Sequence, residues 1–286
     1  MTEHAALAPW WHPQSLALDE CWHYTIGPIA LYFKRGQQEW QFSVAPSESA
    51  VLATPQANQS VVAALETQRV LTTSHVVSKP IACLPELLTS QRYVFRHSPT
   101  AFRLTPKLLE RPVVVKTRQP VSIPAGEQCV FYISSPVCIQ VSLEQPVTPL
   151  FEMPIQRLSD TWFGSSTQHG QLCYADKTQA RQSLTDIPAR PHRAVTAVTI
   201  ENRSDKMLTI DKISIPLPFL ALYGRDDGTL WTDPITLLHE AHGSLTRFKI
   251  DKTLPPGVST VDMLTPPREM PDKHSLVRAF TGIFSQ

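Results

Sequence analysis

The segment IALYFKRGQQEWQFSV, Ile29–Val44, decides the fold class. Ile29, Leu31 and Phe33 alternate with Ala30, Tyr32 and Lys34. After Arg35-Gly36-Gln37-Gln38, Trp40, Phe42 and Val44 alternate with Glu39, Gln41 and Ser43. Period-two alternation on both sides of a glycine-bearing turn predicts an antiparallel hairpin with one face on a core. Arg35 and Glu39 face each other across the turn as a surface pair. Upstream, Trp10, Trp11, Trp22 and Tyr24 are dense enough in aromatic surface to predict core packing of the N-terminal segment.

The same pattern recurs along the chain. Val113–Thr117 is apolar and β-branched, Cys129–Ser134 follows the turn Pro124-Ala125-Gly126-Glu127, and Val137, Ile139, Val141 and Leu143 alternate with polar residues. Strands resume over Ala194–Glu201, turn at Asn202–Asp205 and return through Met207–Pro216. Short strands at such spacing, with turn residues between them, read as a sandwich or barrel. Ile235–Glu240 and Leu245–Ile250 predict one more hairpin, with a helix capped by Asp233 as the competing reading. Short helices are expected at 61–68, 84–88 and 274–284. The stretch 156–193 reads as irregular, and 255–271 as an exposed, proline-rich tail. The expected architecture is mainly β: an antiparallel β-sandwich in two packed units. Residues 1–105 form the first, with a loop or short-helix insertion at 45–90. Residues 106–252 form the second, and 253–286 a tail.

Composition narrows the function classes. The chain has 286 residues, 26 of them proline and 10 glycine; proline is roughly double its ~5% typical share, which forbids long helices. Lys plus Arg number 26 against 25 Asp plus Glu, a net charge of +1 without like-charged blocks. That leaves no electrostatic footprint for nucleic acid. Residues 1–13 lack a basic n-region and an apolar run, which predicts no secretory signal, and no stretch has the ~18 apolar residues of a membrane span. Five cysteines without a CxxC pair predict reduced, mostly buried thiols in a cytoplasmic protein, with no metal and no cofactor.

No GxSxG, GxGxxG or Walker loop occurs. His239-Glu240-Ala241-His242 is one residue short of the HExxH spacing that puts two zinc ligands one helical turn apart. The candidate site is the polar stretch 157–193, with Arg157, Asp160, Trp162, Tyr174, Asp176, Arg181, Arg190, His192 and Arg193 as candidate ligand-binding residues. Arginine forks bind carboxylate or phosphate bidentately. The competing reading is a structural network of Arg–Asp pairs with Trp162 and Tyr174 as anchors.

Several phrases carry a family resemblance: Trp10-Trp11, Gly27-Pro28 leading into Ile29–Lys34, Glu39-Trp40, Arg111–Val115, Arg157–Gly164 and Arg190–Val195. With these the chain resembles the domain of unknown function numbered four hundred and thirty-two, an uncharacterised archaeal and bacterial family, over about 10–250. The resemblance implies no catalytic residue. It points to one partner class, small mechanosensitive channels, and so to an accessory role at the cytoplasmic face of a membrane. The expected function is a non-catalytic β-sandwich module that binds a partner protein or a small anionic ligand. The rivals are a hydrolase acting on a sugar or phosphate ester through Asp160, Asp176 and His192, and a structural partner docking through its C-terminal tail.

Overall fold

The computed structural model describes residues 9–47, 76–86, 88–164, 166, 168–240, 246–251, 258, 261–270, 276–277 and 280–282. The first part of the chain forms β1 (Gln14–Ser15), β2 (Cys21–Ile26), β3 (Ile29–Arg35), β4 (Glu39–Pro46), β5 (Val76–Ile81), β6 (Gln91–Val94) and β7 (Ala101–Lys107). The middle forms β8 (Val113–Ile123), β9 (Gln128–Pro136), β10 (Cys138–Leu143), β11 (Thr148–Pro154), β12 (Ser159–Gly164) and β13 (Gly170–Ala180). Then follow β14 (Arg193–Asn202), β15 (Leu208–Ile215), β16 (Leu222–Gly224), β17 (Leu230–Thr232), β18 (Ile235–His239), β19 (Thr246–Ile250), β20 (Asp262–Thr265), β21 (Leu276–Val277) and β22 (Phe280–Gly282). Two single 3-10 turns, Leu184–Asp186 and Leu217–Phe219, are the only helical elements among the described residues.

The fold is mainly β, with antiparallel-rich sheets packed on one another. One sheet runs β5-β2-β3-β4-β6, a second β1-β7-β10-β11 and a third β12-β13-β8-β15-β22. The fourth runs β20-β16-β17-β14-β18-β19-β21, with β9 on the other side of β14. The predicted hairpin is β3–β4, registered with Phe33 opposite Phe42 and Arg35 opposite Trp40. Its inward residues Leu31, Phe33, Trp40 and Phe42 are buried, and Phe33 stacks on Phe102 of β7 at 4.6 Å between ring centroids. Trp10, Trp11 and Tyr24 join that core as expected. One contiguous apolar cluster runs from Trp10 to Phe248, and the sheet β1-β7-β10-β11 takes strands from both sides of residue 105. The hairpin reading of 235–250 holds, with β18 and β19 pairing antiparallel through Ile235 opposite Ile250.

Several expectations need correction. The stretch 156–193 is largely regular: β12 and β13 form a hairpin, and β13 lies parallel to β8. Its alternation is masked because the inward-facing Asp176 and Thr178 are polar and are satisfied by Arg193 and Ser134. Strands β14 and β15 do not pair with each other; β14 pairs with β9 and β15 with β8. The connection at 202–207 passes from one sheet to another, anchored by the buried Asn202 amide donating to the carbonyls of Ile123, Pro124 and Lys206.

The expected helix at 61–68 lies outside the described residues. At 84–88 there is a single turn, closed by Leu88 N–H to the Pro85 carbonyl at 3.2 Å. Within 274–284 the described backbone is extended as β21 and β22, paired with β19 and β15. A short segment next to open ladder positions gains more from sheet hydrogen bonds than from a marginal isolated helix. Nor is the whole proline-rich tail exposed: β20 pairs with β16, and Arg268 donates to the Leu108 carbonyl (2.7 Å) and pairs with Glu152. Arg35 and Glu39 are not partners. Arg35 donates to the carbonyls of Leu16, Ser98 and Pro99, while Glu39 binds Arg92.

Candidate functional site

The nine candidate residues divide into two groups. The first lies beneath the surface around the turn Arg190-Pro191-His192-Arg193. Strand β14 begins at Arg193, whose face also carries Ser134 of the paired β9. Arg193 and Asp176 form an ion pair with both side chains only 2% exposed. The guanidinium also donates from Nε to Ser134 Oγ (3.0 Å), from Nη1 to Gln156 Oε1 (2.7 Å), and from Nη2 to the Ser134 carbonyl and Thr178 Oγ1 (3.3 Å). The other carboxylate oxygen of Asp176 accepts the Thr178 N–H at 3.0 Å. This saturated network welds β13 to the β9–β14 pair. Burial lowers the pKa of Arg193, and Asp176 works against that shift.

His192 is 5% exposed, and its pKa falls to about 3 because burial, then the charges of Arg193 and Arg190, disfavour the imidazolium. Arg190 is half-buried, its pKa lowered by burial and by Arg193 and raised by Asp176. The turn is held from outside by Trp10, whose indole N–H donates to the Pro191 carbonyl at 2.9 Å. Arg181 takes part through its backbone, bridging to Tyr132.

The second group is Arg157, just before β12, and three residues on the β12–β13 hairpin, the outermost pair of its sheet among the described residues. One face of the hairpin is buried, with Phe163 and Cys173 packed on Val114. The opposite face carries Trp162, 50% exposed, in register with Leu172, 43% exposed. Gly170 makes room for the indole, since a Cβ there would meet Trp162 Nε1 at 2.3 Å; that N–H donates to the Ser166 carbonyl at 2.9 Å. Asp160 pairs with Arg111 at 3.2 Å, and Arg111 lies 5.2 Å from the ring centroid of the buried Tyr174. The Tyr174 hydroxyl donates to Glu110, and its pKa is raised to about 12 by burial and then by that carboxylate. Arg157 is exposed, with no ion pair among the described residues.

The two candidate carboxylates therefore serve different arginines: Asp160 holds Arg111 and Asp176 holds Arg193. His192 has no hydrogen bond to either. Sequence reading missed Arg111, Glu110, Ser134 and Gln156, and only the Arg111–Val115 phrase hinted at the first. The five cysteines are free, with Cys21, Cys138 and Cys173 buried, Cys129 half-buried and Cys83 exposed. Among the described residues no helix is long and apolar enough to cross a membrane.

Comparison with curated proteins finds no match, and comparison with solved structures finds none either. A family profile matches residues 10–285, nearly the whole chain. The chain belongs to that family, described as protein of unknown function (DUF432).

Proposed function

We propose that the protein is a non-catalytic binding module that takes an extended segment of a partner protein along β12. The observation that carries this reading is the exposed Trp162–Leu172 pair on an edge hairpin. Half-exposed tryptophan beside exposed leucine is a poor use of a solvated surface, whereas Trp is the residue type most enriched at interface hot spots. Among the described residues β12 pairs on one side alone. Its other side offers backbone groups to an added strand, and Trp162 and Leu172 receive the alternate side chains of that strand. The Asp160–Arg111 pair borders the patch and gives it a polar rim. The site sits in a cytoplasmic protein on this reading, and a small mechanosensitive channel is the first partner to titrate.

A photo-crosslinking residue placed at position 162, with a second at the exposed Val94 as control, tests the reading. The expected result is one partner captured from native lysate at 162 and not at 94. Its purified form then loses at least tenfold in affinity for Trp162→Ser and Leu172→Ser, and competes with an extended peptide cut from its own sequence. Equal capture at both positions, or unchanged affinity in both variants, overturns the proposal.

A further inference from the structure

Four buried side-chain polar atoms have no hydrogen-bond partner among the described residues: Ser98 Oγ, Ser135 Oγ, Arg190 Nε and His192 Nδ1. Three of them share one neighbourhood. Arg190 and His192 stand on the turn closed by Arg193 N–H to the Arg190 carbonyl at 3.3 Å. Val137 N–H donates to the His192 carbonyl at 3.3 Å, and Ser135 registers with Ala194. His192 and Ser135 are thus diagonal neighbours on one face of the β9–β14 ladder. The guanidinium N–H is a donor, the hydroxyl can donate, and the neutral imidazole donates from Nδ1 in the tautomer that leaves Nε2 bare. Buried polar groups without partners are costly, and three on neighbouring residues call for an explanation.

The charges agree. Two guanidiniums, Arg190 and Arg193, share a single carboxylate, and Asp176 is engaged by Arg193. Arg190 makes no ion pair among the described residues, so the neighbourhood carries an excess positive charge beneath the surface. Because Arg190 is half-buried, it stands between that interior and solvent. The imidazole is buried, and its closest backbone neighbour leaves the in-plane side of Nδ1 free. A Cβ on Gly27 would lie 2.2 Å from Nδ1, 2.6 Å from Cγ and 2.7 Å from Cε1 of His192. Such similar separations place Gly27 over the ring face, which leaves the in-plane direction of Nδ1 clear of it.

We propose that Arg190, His192 and Ser135 form a binding site for a small oxyanion, a phosphate or a carboxylate group, with Arg190 as its charged anchor. The Arg190 fork takes two oxygens, and the His192 Nδ1–H and Ser135 hydroxyl take the remaining lone pairs. His192 binds as the neutral imidazole, in keeping with its depressed pKa. Trp10 and Gly27 hold the turn in shape before the anion arrives, and the Arg193–Asp176 pair keeps its charges fixed. This site is separate from the β12 edge, and its failure would leave the docking reading untouched.

The test uses the full chain in chloride buffer at constant ionic strength, titrated with inorganic phosphate and in parallel with acetate, and read by calorimetry and thermal unfolding. The expected result is a saturable rise in Tm with at least one of the two anions, as ligand linkage requires. Phosphate alone assigns a doubly charged oxyanion, acetate alone a carboxylate. Arg190→Gln, with its β-type circular dichroism retained, is expected to bind at least tenfold more weakly. Should that variant not fold, Arg190→Lys keeps the charge, removes the fork and carries the same expectation. No saturable response to either anion, or a variant that titrates like the parent protein, overturns the proposal.

Discussion

Gly27 and His192 are packed face to face: the backbone of Gly27, at φ +57°, leaves room over the imidazole that no side chain could share. The tight turn between β2 and β3 therefore depends on the turn that opens β14, more than 160 residues later in sequence. Both the left-handed φ and the contact select glycine. Gly27→Ala is expected to destabilise the protein by about 2 kcal/mol or more, combining the left-handed penalty with displacement of the ring. Urea unfolding measures it, and a loss under ~0.5 kcal/mol, the range of ordinary surface substitutions, would show that the contact is loose.

The Arg193–Asp176 pair links two sheets with both side chains only 2% exposed. Removing one partner leaves a buried charge uncompensated, which typically costs about 3–5 kcal/mol. Asp176→Asn and Arg193→Met should each lower stability by that order in urea unfolding. The double change Asp176→Leu with Arg193→Met should recover much of the loss, because no charge is then stranded. Additive losses in the double variant would mean that the remaining hydrogen bonds to Ser134 and Gln156 matter more than the ion pair.

His192 makes stability depend on pH. Its folded pKa is about 3, below the ordinary value of 6.5. Below pH 6.5 the unfolded chain takes up a proton that the folded chain refuses, so the unfolded state is favoured as pH falls. The contribution of His192 is thus complete above the unfolded value and is lost progressively towards pH 3. A one-proton difference has a slope of about 1.4 kcal/mol per pH unit. Urea midpoints at pH 7.5, 6 and 5 in phosphate-free buffer should fall along that slope, and His192→Gln should flatten it. Parallel curves for the two proteins would show that the imidazole titrates freely in the fold.

Strands β21 and β22 extend two sheets, through β19 and β15. Deleting residues 271–286 should therefore lower Tm by about 5 °C or more, the shift expected for ~2 kcal/mol in a chain of this size. An unchanged Tm with loss of association to a partner would instead favour docking through the tail.

Much of the fold was legible in the sequence. At Ile29–Val44, Val137–Leu143 and 194–216, apolar and polar residues alternate over most of each strand, and period two is a local property of the chain, although Val44 turns out exposed, Ser43 buried and β10 buried on both faces. The hairpin at 235–250 was legible for the same reason. Strand β13 was not, because its inward positions hold Asp176 and Thr178, whose burial is possible only through Arg193 and Ser134 from other strands. The helix expected near 280 failed similarly, since the ladder partners that draw those residues into sheets lie far away in sequence.

Local patterning and composition sufficed for a mainly β chain with short strands, few helical turns and a polar segment at 157–193, and a handful of phrases sufficed for the family. Which side chains that segment brings together became visible only in the fold. Charge pairing and burial depend on which side chains meet, and sequence spacing does not encode it across sheets. Arg193 and Asp176 look like ligand groups in the sequence and are bound to each other in the fold. Trp162 looks like a core anchor and stands half in solvent, while Arg190 and His192 each keep a buried polar atom that the described residues do not satisfy.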